Sequence, residues 1–192
     1  MRFFVFILTL FAACLSACKH SSVYEKEIAV LDSIKIVLQV KLNELKKVEQ
    51  NIQSLPFEKF DAYNSFLRNN IKDTVAKGEG NALQLYVKSG NTISEFNKVK
   101  ADLFNQTETS VLQIQKLSAD LKENNVQQNI ATSYANAEKG HADELIRVIE
   151  QNVKALNLSI NNYRNSVSRT EEYIKKINHG QLPNVVTDPT LE

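Results

Sequence analysis

The chain has 192 residues with 23 basic and 22 acidic side chains, enough for one domain with a hydrophobic core. Charges of both signs are interspersed, so no nucleic-acid partner is expected. Helix-forming residues are frequent, whereas there are only 5 Gly and 3 Pro, a composition typical of helical proteins. Both cysteines, Cys14 and Cys18, lie within the first eighteen residues, which excludes disulfides and thiol chemistry from the rest of the chain.

The first seventeen residues have the layout of a secretory signal peptide. One basic residue, Arg2, precedes an apolar run over residues 3–15, and small residues follow up to Cys18. As a helix this run would extend over about 20 Å, whereas the hydrocarbon core of a bilayer is ~30 Å thick. Residues 1–17 are therefore predicted to be a cleaved export signal.

The end of this segment, Leu15-Ser16-Ala17-Cys18, resembles the lipobox of bacterial lipoproteins. That resemblance implies cleavage before Cys18, acyl chains on Cys18 and attachment to a membrane of the cell envelope. The expected location is the outer membrane facing the periplasm, and the alternative is the outer face of the cytoplasmic membrane. An ordinary signal peptide cut near Ala17 would instead leave Cys18 unmodified. Residues 18–24 then form a tether of at most ~20 Å.

The first helix is predicted from about Ser22 to Gln53. Its apolar residues repeat every seven positions, at Leu31, Leu38, Leu45 and Ile52. This spacing predicts a helix face buried in a bundle core. The alternative is an exposed seam that recruits a second chain as a coiled coil.

The second predicted helix follows a break at Ser54-Leu55-Pro56, with Ser54 as its N-cap, and carries apolar residues as far as Val75 before the kink expected at Gly78–Gly80. Its start is the most aromatic part of the chain after the signal segment. Aromatic residues at this spacing indicate a core, but a ligand pocket within a bundle would use the same residues. The possible ligand or partner contacts are Phe57, Phe60, Tyr63, Phe66 and Tyr86.

Glycines divide the middle of the chain. Gly78–Gly80 is predicted to kink the helix, and Gly90 is predicted to form a turn between antiparallel helices. The residues after this turn, Thr92-Ile-Ser-Glu95, have the pattern of a capping box, which would start the third helix.

The third and fourth helices are predicted over about Asn91–Glu123 and Val126–Asn178, with a turn at Asn124-Asn125. The fourth would be the longest, so it must bend, break or overhang the bundle, with Gly140 as the expected weak point. Residues 25–179 form the predicted bundle, and residues 180–192 a disordered tail. The fold class is all-α, an elongated up-and-down bundle of about four helices. The alternative is three long helices in a spectrin-like arrangement.

Catalytic and metal-binding patterns are weak. Glu138 and His141 have the Glu-x-x-His spacing of di-iron bundles, but those bundles need this motif twice and two further Glu residues. No metal site and no cofactor are therefore expected, and no motif for nucleophilic or zinc-dependent catalysis is found. The chain is not expected to be an enzyme.

Two functions remain open from the sequence. The favoured one is a non-enzymatic, membrane-anchored envelope lipoprotein that presents helical faces to a protein or cell-wall partner. The alternative is a helical bundle that binds a small apolar ligand near the aromatic residues. A ligand binder needs a cavity between its helices, whereas a scaffold is packed solid and has an exposed apolar patch.

Overall fold

The computed structural model describes residues 23–71 and 75–185, so the predicted signal segment and Cys18 lie outside the described residues. Within those ranges the chain forms four α-helices and no strand. They are α1 (Glu25–Gln53), α2 (Phe60–Asn70), α3 (Lys77–Lys122) and α4 (Gln128–Ile177), with a short 3-10 helix (Phe57–Lys59) before α2. The predicted all-α, up-and-down bundle of about four helices is confirmed.

The two long helices, α3 and α4, run antiparallel along the whole bundle. They are joined by a tight turn, and at the far end Lys176 of α4 forms an ion pair with Glu79 of α3 at 2.9 Å. Asn124 occupies the turn with φ 57, a left-handed conformation that asparagine tolerates better than most residues. The turn therefore lies where Asn124-Asn125 predicts it.

The two shorter helices, α1 and α2, lie end to end beside this pair. Lys41 of α1 pairs with Glu150 of α4 at 3.0 Å, and Glu49 of α1 pairs with Lys100 of α3 at 2.8 Å. α2 continues in the same direction, because Lys59 just before it pairs with Glu171 of α4 at 3.6 Å. A cross-section of the bundle therefore contains three helices: α3, α4 and either α1 or α2.

The seven-residue repeat of α1 faces the core as predicted. Its four members, Leu31, Leu38, Leu45 and Ile52, are all buried. The helix ends at Gln53, and the Ser54 hydroxyl donates a hydrogen bond to the Asn51 carbonyl at 2.7 Å. Ser54 therefore terminates α1 and does not cap the second helix, contrary to the prediction.

The second helix is much shorter than predicted. It stops at Asn70, and Ile71 has an extended backbone, so Val75 lies outside any helix. α3 then begins at Lys77, which places Gly78–Gly80 in its first turn rather than at a kink.

Gly90 lies inside α3, so the predicted turn there is wrong. The helix passes through the position without interruption, and the side chain of Thr92 donates a hydrogen bond back to the Lys88 carbonyl at 3.1 Å instead of capping a new helix. Gly90 is buried and faces the ring of Phe60. The glycine provides space for α2 to approach α3, and it does not end the helix.

The fourth helix is continuous through Gly140, contrary to the predicted weak point. It also does not overhang, because α3 has 46 residues and α4 has 50. Gly180 follows the helix end with φ +87, as expected of a helix-terminating glycine. Leu182 still packs against the core, so the start of the predicted tail is in contact with the bundle; residues 186–192 lie outside the described ranges.

The buried face in the first half of α4 differs from the predicted one. The sequence pattern places Tyr134, Ala137 and His141 on the core face, but all three are exposed. The buried positions are the neighbouring alanines, Ala131, Ala135 and Ala142. Alanine lets two helix backbones approach closely, and hydrophobicity alone gives such small residues too little weight.

The core consists of two hydrophobic clusters. One contains the aromatic residues and the α2 end of the bundle, and the other contains the first half of α1 and the α3–α4 turn. Between them α3 contributes the buried polar residues Thr107 and Ser110. Across the described ranges, no helix is both long enough and apolar enough to span a membrane.

Candidate functional site

The predicted aromatic residues gather in one half of the core. Phe60, Tyr63 and Tyr86 are buried there, and Phe57 and Phe66 pack half-buried against the same cluster. The 3-10 helix, α2 and α3 therefore bring together all five residues singled out as possible ligand contacts.

The rings of this cluster are in direct contact. Tyr86 stacks on Tyr163 with ring centroids 4.9 Å apart, and Phe60 lies 5.6 Å from Tyr86. Phe57 stacks on Phe60 at 5.2 Å and reaches Tyr163 at 5.5 Å. These separations are those of stacked and tilted ring pairs in protein cores. The rings thus fill much of the space between the helices with one another.

Tyr163 is the centre of the cluster, although the sequence pattern does not single it out. It is fully buried and forms ring pairs with three of the other aromatic residues. Its place on the core face of α4 follows from helical spacing, but its pairing with Tyr86, 77 residues away in sequence, requires knowledge of how α3 and α4 align. No local sequence signal carries that alignment.

The tyrosine hydroxyls have polar partners. Tyr163 donates to the Pro56 carbonyl at 3.3 Å and lies 3.4 Å from the Tyr86 hydroxyl, and Tyr63 donates to Glu171 at 3.1 Å. Burial raises the pKa of Tyr163 to about 12 and that of Tyr86 well above its ordinary value. Burial, followed by the contact with the Glu171 carboxylate, raises the pKa of Tyr63 to about 12. The cluster therefore keeps its phenols neutral, which suits a structural role.

A polar groove lies between α3 and α4 at the level where the two core clusters separate. Its volume is about 490 Å³, and it is lined by Asn105, Gln106, Thr109, Ser110, Gln113, His141, Glu144, Leu145 and Val148. The Ser110 hydroxyl is buried and has no hydrogen-bond partner among the described residues. His141 is exposed at its edge, not on the helix seam where the sequence places it.

Metal-binding groups are not brought together here. Among the described residues, no three His, Cys, Asp or Glu side chains lie close enough to hold an ion. The predicted lipidation site, Cys18, lies outside those residues.

The first half of α1 carries exposed, mostly apolar side chains outside its core face. We call this surface the outer face; it consists of Ala29, Val30, Ser33, Ile36, Val37 and Val40, all exposed. Ile36 is 58% exposed and Val40 49% exposed. Four of these residues, Ala29, Val30, Ser33 and Val37, also line a groove of about 570 Å³ between α1 and α4. The α4 side of this groove includes Ile146 and the ion pair of Lys139 with Asp143. Apolar residues that are exposed together on one helix are candidates for contact with a partner.

The comparisons with known proteins add no relative to these observations. No protein-family model, curated protein or solved structure matches this chain.

Proposed function

We propose that the protein is a non-enzymatic lipoprotein of the cell envelope, anchored through acyl chains on Cys18 and presenting a helix face to a protein or cell-wall partner. The observation that carries the proposal is the outer face of α1. This surface begins at Ala29, eleven residues after Cys18. An exposed apolar patch and a lipobox-like sequence therefore lie close together in the chain.

The packing of the aromatic cluster supports a scaffold over a binder of small apolar ligands. Phe57, Phe60, Tyr86 and Tyr163 occupy the space between the helices by contacting one another. A bound apolar ligand would have to displace these ring contacts, which are each worth about 0.5–1.5 kcal/mol beyond the buried area. The outer face, in contrast, is accessible without any rearrangement.

The membrane attachment that we propose follows from the physics of acyl chains. Each buried methylene contributes about 0.8 kcal/mol, so two or three chains on Cys18 hold a protein on a bilayer stably, whereas one chain does so only marginally. The location we propose is the outer membrane facing the periplasm. A tether of at most ~20 Å would keep the start of α1 close to that surface.

The experiment that tests the anchor is metabolic labelling with a clickable fatty acid. We expect label on the full-length chain, none on Cys18→Ala, and retention of the uncleaved precursor in that variant. Cys14→Ala is the matched control, because it removes the other cysteine and leaves the lipobox-like residues intact; it should label normally. Unlabelled wild-type chain, or equal labelling of Cys18→Ala, would contradict the proposal.

A further inference from the structure

We propose that the polar groove between α3 and α4 binds a glycan of N-acetylated amino sugars, the sugar class of a bacterial cell wall. This site is separate from the outer face of α1. The cell wall as the source of the sugar rests on the proposed function, which is that of an envelope protein. The site itself rests on the buried Ser110 hydroxyl, the polar interruption of α3 and the composition of the groove.

The core face of α3 is interrupted by hydroxyl side chains beside this groove. Leu103 and Ile114 are buried core residues, and the buried positions between them hold Thr107 and Ser110. Threonine and serine are poorer helix formers than leucine and bury less apolar surface, so they stabilise the middle of the bundle less than leucine would. Such local departures from the pattern that best stabilises a fold are expected at functional sites.

The Ser110 hydroxyl is available to a ligand. The residue is only 7% exposed, and its hydroxyl oxygen has no hydrogen-bond partner among the described residues. Within a helix, such a hydroxyl can donate to the carbonyl four residues earlier, as Thr107 does to Leu103 at 2.7 Å. Ser110 does not form this bond. Because a buried hydroxyl without a partner is unfavourable and Ser110 lines the groove, a polar group that enters the groove finds a partner there.

The α3 side of the groove can both donate and accept hydrogen bonds. It presents the carboxamides of Asn105, Gln106 and Gln113 and the hydroxyl of Thr109, all on exposed residues. A carboxamide carries an N–H donor and a C=O acceptor side by side, which matches the N–H and C=O groups of an acetamido substituent as well as sugar hydroxyls. This side is therefore suited to a ligand that combines amide and hydroxyl groups.

The α4 side of the groove supplies an apolar strip. Leu145 and Val148 are three residues apart, so they lie on the same side of the helix, and both are half-buried. The methyl end of an acetamido group and the C–H face of a sugar ring can pack on this strip while their polar groups face α3. The volume of about 490 Å³ is that of a small-ligand site.

The charge of the groove argues against an ionic ligand. Glu144 is the one carboxylate in its described lining, and Arg147 donates to that carboxylate through Nε at 2.9 Å. The described lining contains no lysine or arginine, so a phosphate would meet no permanent cation there. An uncharged polar ligand fits this lining best.

The groove lacks the features that usual modes of peptide recognition require. An added strand needs a sheet edge, a docked helix needs an apolar groove, and a proline-rich segment needs an aromatic-lined one. Among the described residues there is no strand, and the groove lining there is mostly polar and lacks Phe, Tyr and Trp. A glycan therefore fits this groove better than a peptide does.

Ligand-observed NMR on the full acylated chain in detergent tests the site. The probe is chitotetraose, a β-1,4-linked oligomer of N-acetylglucosamine. Cellotetraose is the matched sugar, because it has the same rings and linkages without acetamido groups. Gln113→Ala removes one carboxamide from the groove. Gln115→Ala is the matched control, because Gln115 is also exposed on α3 but does not line the groove.

Chitotetraose should bind saturably with a Kd of about 1 mM or below, and cellotetraose should bind more weakly by about tenfold. Gln113→Ala and Ser110→Ala should each weaken binding by about threefold or more, whereas Gln115→Ala should bind as the wild type does. Equal affinity for the two sugars would overturn the acetamido assignment. Unchanged binding in both groove variants would overturn the site. Absence of saturable sugar binding, or binding of a D-alanyl-D-alanine peptide in its place, would overturn the glycan.

Sedimentation with purified cell wall tests the source of the sugar. The wild type and Gln115→Ala should pellet with the wall, and Gln113→Ala should pellet less. Binding of chitotetraose without sedimentation would overturn the cell wall as the source. Failure of this site and failure of the anchor are distinguishable, because sugar binding is measured on Gln113→Ala and fatty-acid labelling on Cys18→Ala. A chain that takes up label but binds no sugar would overturn the glycan site alone.

Discussion

The ring of Phe60 lies directly over Gly90, so that a Cβ atom at position 90 would stand 1.9 Å from the Phe60 Cε2 atom. This contact fixes where α2 meets α3. It also brings Phe60 within 5.6 Å of Tyr86, one helical turn before the glycine. The glycine in the middle of a 46-residue helix is thus required by packing.

Gly90→Ala should destabilise the protein because the new methyl group overlaps the Phe60 ring. Overpacking in a core costs about 1–3 kcal/mol, which exceeds the gain of about 1 kcal/mol that alanine brings to a helix interior. The free energy of unfolding in urea measures the net loss.

The matched control is Gly140→Ala, since nothing lies within 4 Å of a Cβ at that position and α4 is continuous there. This variant should be more stable by about 0.5–1 kcal/mol. The double variant Phe60→Leu with Gly90→Ala should lose less than the sum of the two single changes. Equal effects of alanine at positions 90 and 140 would refute the contact.

The two sides of α1 should respond differently to truncation. Leu38 is fully buried, and Leu38→Ala should cost about 2–5 kcal/mol in urea unfolding. Ile36 is 58% exposed two residues earlier, and Ile36→Ala should change stability by no more than about 0.5 kcal/mol in the dilute protein. Similar losses at both positions would mean that the helix is rotated relative to the bundle.

Alkaline pH should unfold the protein through its buried tyrosines. The pKa of Tyr163 is raised to about 12 by burial, whereas an unfolded tyrosine ionises near pH 10. Stability is therefore complete below about pH 10 and falls as the pH rises towards 12, by about 1.4 kcal/mol per pH unit for each such tyrosine.

Urea unfolding at pH 9, 10 and 11 measures this dependence. Tyr163→Phe should be less stable at pH 9, because the Pro56 carbonyl loses its hydrogen bond, yet it should lose less stability between pH 10 and 11 than the wild type. A parallel decline in both proteins would show that other groups govern alkaline unfolding.

The sequence predicts the parts of this fold that depend on local spacing. The repeat from Leu31 to Ile52, the turn at Asn124 and the end of α4 near Gly180 all follow from helical periodicity and from residues that tolerate φ > 0. The errors concern features that depend on a neighbouring helix. In the sequence alone Gly90 looks like a turn residue, because no local pattern shows that the Phe60 ring occupies the space beside it.

In the candidate sites, too, the sequence indicates features with a local pattern and misses those that depend on contacts between helices. The aromatic residues of α2 are apparent in the sequence, but their assembly around Tyr163 depends on how three helices align. The outer face of α1 could be read from its spacing, yet the stronger leucine repeat dominates the pattern and hides it. The sequence pattern places His141 on the core face, but the buried residue is its neighbour Ala142, whose small side chain contributes little to a hydrophobic pattern.

His141 should not hold a metal ion. Its side chain is exposed at the edge of the polar groove. The Glu-x-x-His motif that it forms with Glu138 supplies two potential ligands. Among the described residues no third ligand lies near enough to complete a site, and a transition metal needs three or four. We expect less than about 0.1 equivalents of iron, manganese or zinc by elemental analysis of protein purified without a histidine tag.

His141→Gln should keep the free energy of unfolding within about 0.5 kcal/mol, as for other exposed positions. About one tightly held metal per chain, lost in His141→Gln but not in Glu144→Gln on the same groove, would contradict the scaffold and make the protein a metal-binding bundle.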